Sequence, residues 1–364
     1  MTLAILPPTQ DANELLSIAR RNGVLVFGTG SFARALSAVL REVGISPKAF
    51  VVTSRSTKAI DGLPVFSLNE LGLAFRHLPL WIGVYNHRAQ SDYTVLAAQC
   101  KAAGMKTVIF PQTYFEAVSQ YLGWRYWLTD RENYGRHSDA LQETFSELDD
   151  EQSRHQFDAA IAFRLGHSPE RAPQPVREPH YFSEFPATDV AQDAYFVDGG
   201  AYDGDTLDTA SRHLRLRGAY AFEPDLDNFS KLAARSTAFA FPVTCFPCGL
   251  SSRTCSLNFS AGQGGASVIG PEGSALIQVA RLDECLPNLP VTYLKLDVEG
   301  HEIEALTGAV NTIRRNRPVL AVAGYHRWDD LWQIPRFIRN LELGYRLRFR
   351  IHAHNTFDSV FYAY

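Results

Sequence analysis

The stretch Tyr195-Phe196-Val197-Asp198-Gly199-Gly200-Ala201-Tyr202-Asp203-Gly204 constrains this chain more than any other. A short apolar run ends in an acid, breaks into glycines, and passes at once into an amphipathic pattern with Leu207, Ala210 and Leu214 on one face. That order predicts strand, turn and helix, with the turn open to a ligand because glycine carries no Cβ. The first half repeats the device. Val24 to Phe27 runs into Gly28-Thr29-Gly30, Ala33 completes G-x-G-x-x-A, and Phe32, Leu36, Val39, Leu40 and Val43 form the buried stripe of a helix that Gly44 closes. Strands over Lys48–Thr53, Leu80–Tyr85 and Thr107–Phe110, with helical stretches between several of them, imply a parallel, helix-covered sheet.

A chain of 364 residues has room for two domains, each with its own core. The reading is α/β, two tandem Rossmann-type domains: an accessory domain at 1–123, a helical and Pro-rich linker at 124–190, and a second domain at 191–364. In the linker, Leu141, Phe145 and Leu148 are spaced for one helix face, and Pro169, Pro173, Pro175, Pro179 and Pro186 then interrupt regular structure. The net charge of −4 argues against binding nucleic acid through its phosphates. Leu78–Tyr85, the longest apolar stretch, is far too short for a membrane span, and the N-terminus lacks a basic leader, so the protein is expected to be cytoplasmic. Cys245 and Cys248 form a C-x-x-C that Cys255 and Cys285 would complete to four thiolates. The split second pair makes buried reduced thiols the default over zinc.

In the first half, a dinucleotide site calls for an acid at the end of the second strand, where the chain has Thr53-Ser54-Arg55-Ser56. Arg55 suits a 2′-phosphate, which keeps NADP open. The alternative reading is scaffolding or the binding of a nucleotide-bearing substrate. In the second half, Ala219-Tyr220-Ala221-Phe222-Glu223-Pro224-Asp225 is a strand ending in an acid suited to both ribose hydroxyls of a nucleoside. The preceding turn has no Lys-Ser/Thr, so it is not a P-loop. Its acids Asp198, Asp203 and Asp205 repel a pyrophosphate and welcome the ammonium and sulfonium of S-adenosylmethionine. Cys248-Gly249 follows a third strand, at a position that borders an adenine. The Gly262–Ser267 loop is either a lid over the cofactor or a hairpin tip. A fourth strand ends in Asp297-Val298-Glu299-Gly300-His301-Glu302, before a helix with Ile303, Leu306, Val310 and Ile313 on one face. A fifth, Pro318–Ala323, ends in Gly324-Tyr325-His326-Arg327-Trp328-Asp329-Asp330. The two strand ends bring Asp297, Glu299 and His326 to one crevice.

Four blocks in this order, Asp198 to Thr206, Phe222 to Asp225, Leu296 to Glu302 and Tyr325 to Asp330, resemble the FkbM family of S-adenosylmethionine-dependent methyltransferases over about 191–364. The resemblance implies a seven-stranded class I methyltransferase fold and O-methylation of a sugar or natural product. It puts Asp198, Gly200, Asp203 and Glu223 on the cofactor and Asp297 at its methionine end. Gly199, Tyr202, Thr206, Pro224, Cys248, Gly249 and Ser267 complete the expected cofactor set. His301, Tyr325, Arg327 and Trp328 are expected to meet the substrate.

Methylating a hydroxyl requires a base. His326 is the first candidate, with a pKa near neutrality. The second is an Asp297-x-Glu299 arrangement in which one carboxylate binds Mg²⁺ and the other takes the proton, which leaves Asp297, Glu299 and His326 as metal candidates. From Arg346 to His354 the even positions are all Arg or His, a strand with one basic face. It reads as a solvated edge, or as a site for an anionic, sugar-like substrate, with His352 and His354 reaching it. The competing functions are an NAD(P)-dependent nucleotide-sugar oxidoreductase or epimerase, and a binding module without turnover. Homo-oligomerisation is left open.

Overall fold

In the computed structural model, residues 12–55, 57–167, 171–183, 193–260, 268–269 and 275–364 are described. The expected lid residues Gly262–Ser267, Ser267 among them, fall outside these. The chain forms two compact units. One comprises Met1–Gln142, His155–Pro175 and Ala353–Phe357; the other comprises Glu143–Arg154, Val176–His352 and Asp358–Tyr364. The stretch read as a linker, 124–190, is divided between the two units, and no single cut in it separates them.

The first unit carries a six-stranded sheet: β1 (Val24–Phe27), β2 (Pro47–Val52), β3 (Ala59–Ile60), β4 (Leu63–Ser67), β5 (Leu80–Ile82) and β6 (Val108–Ile109), in the order β3-β4-β2-β1-β5-β6. All neighbours are parallel except β3 against β4. Helix Ser31–Glu42 follows β1 and buries Ala33, Leu36, Val39 and Leu40, as its periodicity predicts.

In the second unit, β7 (Ala194–Gly199), β8 (Leu216–Phe222) and β9 (Val243–Phe246) form one half of the main sheet. A four-stranded sheet of β10 (Gly249–Leu250), β11 (Cys255–Ser260), β12 (Val268–Ile269) and β13 (Ala275–Ala280) then intervenes, unanticipated by the periodicity. The chain returns through β14 (Tyr293–Leu296), β15 (Val319–Ala323), β16 (Leu347–Ile351) and β17 (Ser359–Ala363). The seven-stranded order is β16-β17-β15-β14-β7-β8-β9, parallel except for β17, which runs antiparallel to both its neighbours. Strand order reverses between β7 and β14, and crevices form at such switch points. Leu207, Ala210, Leu232 and Phe196 pack with Tyr293 and Val319 in the core of this unit.

Two expectations change. The helix after β14 is broken into Glu302–Gly308 and Val310–Asn316, with the main chain turning at Ala309. A Cβ at Gly308 would lie 2.0 Å from the Ser251 carbonyl oxygen, so the helix meets this backbone more closely than any side chain allows. The basic face of β16 is met by the chain's own acids, with Arg348 and Arg350 largely buried and Arg346 still exposed. Arg346 binds Asp149, Arg348 binds Asp150 at 2.8 Å, and Arg350 binds Asp150 and Glu178 at 2.9 and 3.1 Å. His352 sits against the Tyr362 hydroxyl at 2.7 Å, and burial holds its imidazole down to about 4, so it is neutral. His354 belongs to the first unit, where it pairs with Asp92 at 2.6 Å.

No helix among the described residues is long and apolar enough to cross a membrane. Replacing Arg350, which is 4% exposed, by Met removes charge-assisted hydrogen bonds to two acids, and we expect a loss of about 2 kcal/mol in urea unfolding.

Candidate active site

The switch point is built by close approach of two strand ends. Gly200 has φ +76°, and a Cβ there would stand 1.8 Å from the Asp297 carbonyl oxygen, so only glycine fits. Beneath this contact Lys295, 1% exposed, pairs with the fully buried Asp198 at 2.9 Å and donates to the Gly200 carbonyl at 2.7 Å. Burial pushes Asp198 up to about 6 against the pull of Lys295; the lysine itself stays charged because Asp198 and Asp297 outweigh its desolvation. Lys295 is a site residue to which the sequence analysis gave no role. A lysine within an otherwise apolar strand was the available signal.

Glu223 leaves the end of β8 and turns back to the glycine turn. Its carboxylate accepts the Tyr202 and Asp225 backbone N–H groups, each at 2.9 Å, and burial raises it to about 7. Each oxygen keeps a further lone pair for an incoming hydroxyl. Pro224 lies against Gly249, 3.7 Å from where a Cβ would sit, so the ends of β8 and β10 line the same edge. Cys248 is hydrogen-bonded to Cys285, while Cys245 and Cys255 pack against separate hydrophobic clusters, so the four thiols do not form one site. Asp203 is tied to Arg235 at 2.9 Å, and Thr206 lies in the first turn of helix Asp205–His213.

At the far side the ends of β14 and β15 assemble acids around an imidazole. His326 is fully buried. Its Nδ1 meets Glu302 Oε1 at 2.8 Å, and its Nε2 lies 3.3 Å from Asp297 Oδ1 and 3.6 Å from Glu299 Oε2. Desolvation disfavours the charged imidazolium, but Glu302, Glu299 and Asp297 outweigh it and raise the pKa well above the usual value. Glu299 sits at φ +53°, a left-handed conformation costly for a side chain, and burial raises its carboxyl to about 8. Asp297 is held below the normal range: Lys295, His326 and the Tyr181 hydroxyl at 2.7 Å outweigh its burial. Tyr181 came from the Pro-rich stretch and carried no sequence signal. Tyr325 lies against His326 in a tilted ring contact with centroids 4.1 Å apart; Arg327 is exposed, Trp328 half-buried beside Trp332, and His301 is 3.3 Å from Ser251 Oγ.

The donors that converge within 4.8 Å as a metal set would be Asp297, Glu302 and His326, with Glu302 in place of the expected Glu299. Glu302 Oε1 already accepts from the Val298 and Gly300 N–H groups and meets His326.

Residues 198–347 match the family model for the methyltransferase FkbM domain. Over those residues the chain is similar to FkbM methyltransferases. A curated relative, the hexuronic acid methyltransferase AglP of Haloferax volcanii, is 33% identical over 101 residues; the match spans 26% of this chain and 42% of that protein. The crystal structure of methyltransferase FkbM from Methylobacillus flagellatus covers 96% of this chain and 93% of its own, with a TM-score of 0.72 at 23% identity, a likeness of fold.

The glycine turn of the first unit is arranged differently from that of the methyltransferase domain. A Cβ on Gly83 would lie 2.8 Å from Ala33, and one on Gly28 would lie 2.8 Å from Val84, so these glycines serve strand–helix packing. Phe32 and Tyr85 meet across the β1–β5 switch point with centroids 5.6 Å apart, and Tyr85 is also in ring contact with Trp127 and Phe357. Arg55, the residue expected to accommodate a 2′-phosphate, is paired with Glu70 at 3.2 Å.

Lys295→Met would leave Asp198 buried without its partner. We expect a loss of about 3–5 kcal/mol in denaturant unfolding, with part recovered when Asp198→Asn is added.

Proposed function

We propose that the methyltransferase domain moves a methyl group from S-adenosylmethionine to a hydroxyl oxygen of a sugar-like acceptor. The observation that carries this reading is one crevice with two acidic ends. Glu223 and the glycine turn stand at one end, and the Asp297–Glu299–His326 cluster stands at the other. The donor supplies a methyl carbon made electrophilic by the sulfonium. The fit rests on the chain itself: acids that attract an ammonium and a sulfonium, and Glu223, whose two oxygens keep lone pairs for two ribose hydroxyls.

The acceptor's proton must leave as its oxygen bonds to the methyl carbon and the carbon–sulfur bond breaks. His326 is fully buried behind Asp297 and Glu299, whose side chains remain 24% and 20% exposed, so the carboxylates stand between it and the crevice. In this reading a carboxylate receives the proton. Glu299, raised to about 8, suits that role better than Asp297, and the imidazolium stabilises the ionised form it needs. Glu302 orients His326. No metal is assigned to the cluster, because Glu302 Oε1 is already engaged three times and a nitrogen donor suits Mg²⁺ poorly.

The acidic crevice favours a neutral hydroxyl over a carboxylate as the methylated group. The relative named for hexuronic acid supports a sugar acceptor, and Arg327, exposed though paired with Asp329 at 3.3 Å, would be the residue to meet an acid elsewhere on that sugar.

The test is calorimetric titration with S-adenosylhomocysteine and, separately, NADPH. The first is expected to bind and the second to give no saturable heat; the reverse would overturn the reading. Ribose hydroxyls prefer ionised Glu223, whose carboxyl is raised to about 7, so S-adenosylhomocysteine affinity should rise about tenfold from pH 6 to 8. Glu223→Gln should bind weakly at both pH values and lose that slope.

A further inference from the structure

We propose that Tyr181, contributed by the Pro-rich segment ahead of the methyltransferase domain, is a positioning residue that locks the Asp297 carboxylate in its working orientation. This inference rests on the donor reading above and deepens it. Asp297 has two oxygens with different tasks. Tyr181 donates its hydroxyl to Oδ2 at 2.7 Å, which leaves Oδ1 turned to His326 at 3.3 Å. The phenol is the hydrogen-bond donor that holds Oδ2 in that rotamer.

The chain invests heavily in placing this one hydroxyl. Tyr181 is a non-glycine residue at φ +66°, a conformation that L side chains adopt only when their surroundings impose it. Both of its backbone groups are pinned by other tyrosines: its N–H donates to the Tyr362 hydroxyl at 3.1 Å, and its carbonyl accepts from the Tyr293 hydroxyl. His180 stacks on the ring with centroids 3.7 Å apart, and the next residue, Phe182, is anchored in the core against Phe196 and Tyr293. The ring, 4% exposed, also covers the Lys295 ammonium, which lies 5.1 Å from its centroid. Ring and hydroxyl therefore act on different partners. The ring shields the Lys295–Asp198 pair, and the hydroxyl orients Asp297. Strain held in place by several contacts belongs at sites where geometry decides the chemistry.

The two tasks separate by substitution. Tyr181→Phe keeps the ring and deletes the hydroxyl. The probes are S-adenosylhomocysteine, which lacks the transferable methyl, and sinefungin, which carries an amine at that position. An oriented Asp297 at the methyl end favours the amine, so the full-length wild-type protein should bind sinefungin more tightly than S-adenosylhomocysteine in calorimetry. Tyr181→Phe should shrink that preference about tenfold, the worth of one hydrogen bond to a charged acceptor, while S-adenosylhomocysteine affinity stays within about twofold. Asp297→Asn should abolish the preference, and adding Tyr181→Phe to it should change nothing further. An unchanged preference in Tyr181→Phe overturns the proposal. So does a parallel loss for both ligands, or losses that add in the double variant. Failure of the wild-type protein to bind either ligand overturns the donor reading itself, a result distinct from all of these.

Discussion

Everything functional in the second unit depends on how closely β7 and β14 approach at their carboxyl ends. The backbone of Gly200 lies against the Asp297 carbonyl at a separation no Cβ survives, 1.8 Å for an ideal one. Lys295 stabilises this crossing from below, with its ammonium shared between the Asp198 carboxylate and the carbonyls of Gly199 and Gly200. A buried ion pair is a poor source of net stability, since desolvation cancels most of the attraction. Here it does something more specific. It fixes the glycine turn relative to the strand that carries Asp297, so the two ends of the crevice are held in register by one side chain.

From that crossing the electrostatics of the site follow. Acids gather where strand ends meet, and each is compensated by a different neighbour: Asp198 by Lys295, Asp297 by Lys295, His326 and Tyr181, and Glu302 by His326 and two backbone N–H groups. Glu299 receives the least compensation, and its carboxyl is accordingly raised to about 8. A group poised near the working pH and still reaching the crevice is what proton transfer from a hydroxyl requires. The imidazole at the centre of these carboxylates is fully buried, and they hold its pKa well above the usual value.

The first unit repeats the sequence device in different surroundings. Its glycine turn follows a buried strand and opens a helix, as in the methyltransferase domain. There Ala33 is pressed against Gly83, and the rings of Phe32 and Tyr85 meet over the switch point. A glycine turn reports that backbones come close, and only the packing above it says whether the visitor is a ligand or another part of the protein.

Local pattern sufficed for the strands β7, β8, β9, β14, β15 and β16, though not for β17 or the four-stranded sheet of β10 to β13. Apolar runs ending in Asp198, Glu223, Asp297 and Gly324 are parallel strands whose polar residues gather at one edge, because a parallel sheet directs every carboxyl end the same way. What the sequence by itself determined was therefore the fold class, the glycine turn and the identity of the acids. Tertiary structure decided which of them share a proton, which are already spent, and who assists. The arginines of β16 are spent on Asp149, Asp150 and Glu178, although alternation along the strand left them free to meet a substrate. Tyr181 joins Asp297 across 116 positions of chain, a distance over which no local pattern carries information. Burial and long-range contact set the charge states of the site, and both exist only after the chain has folded.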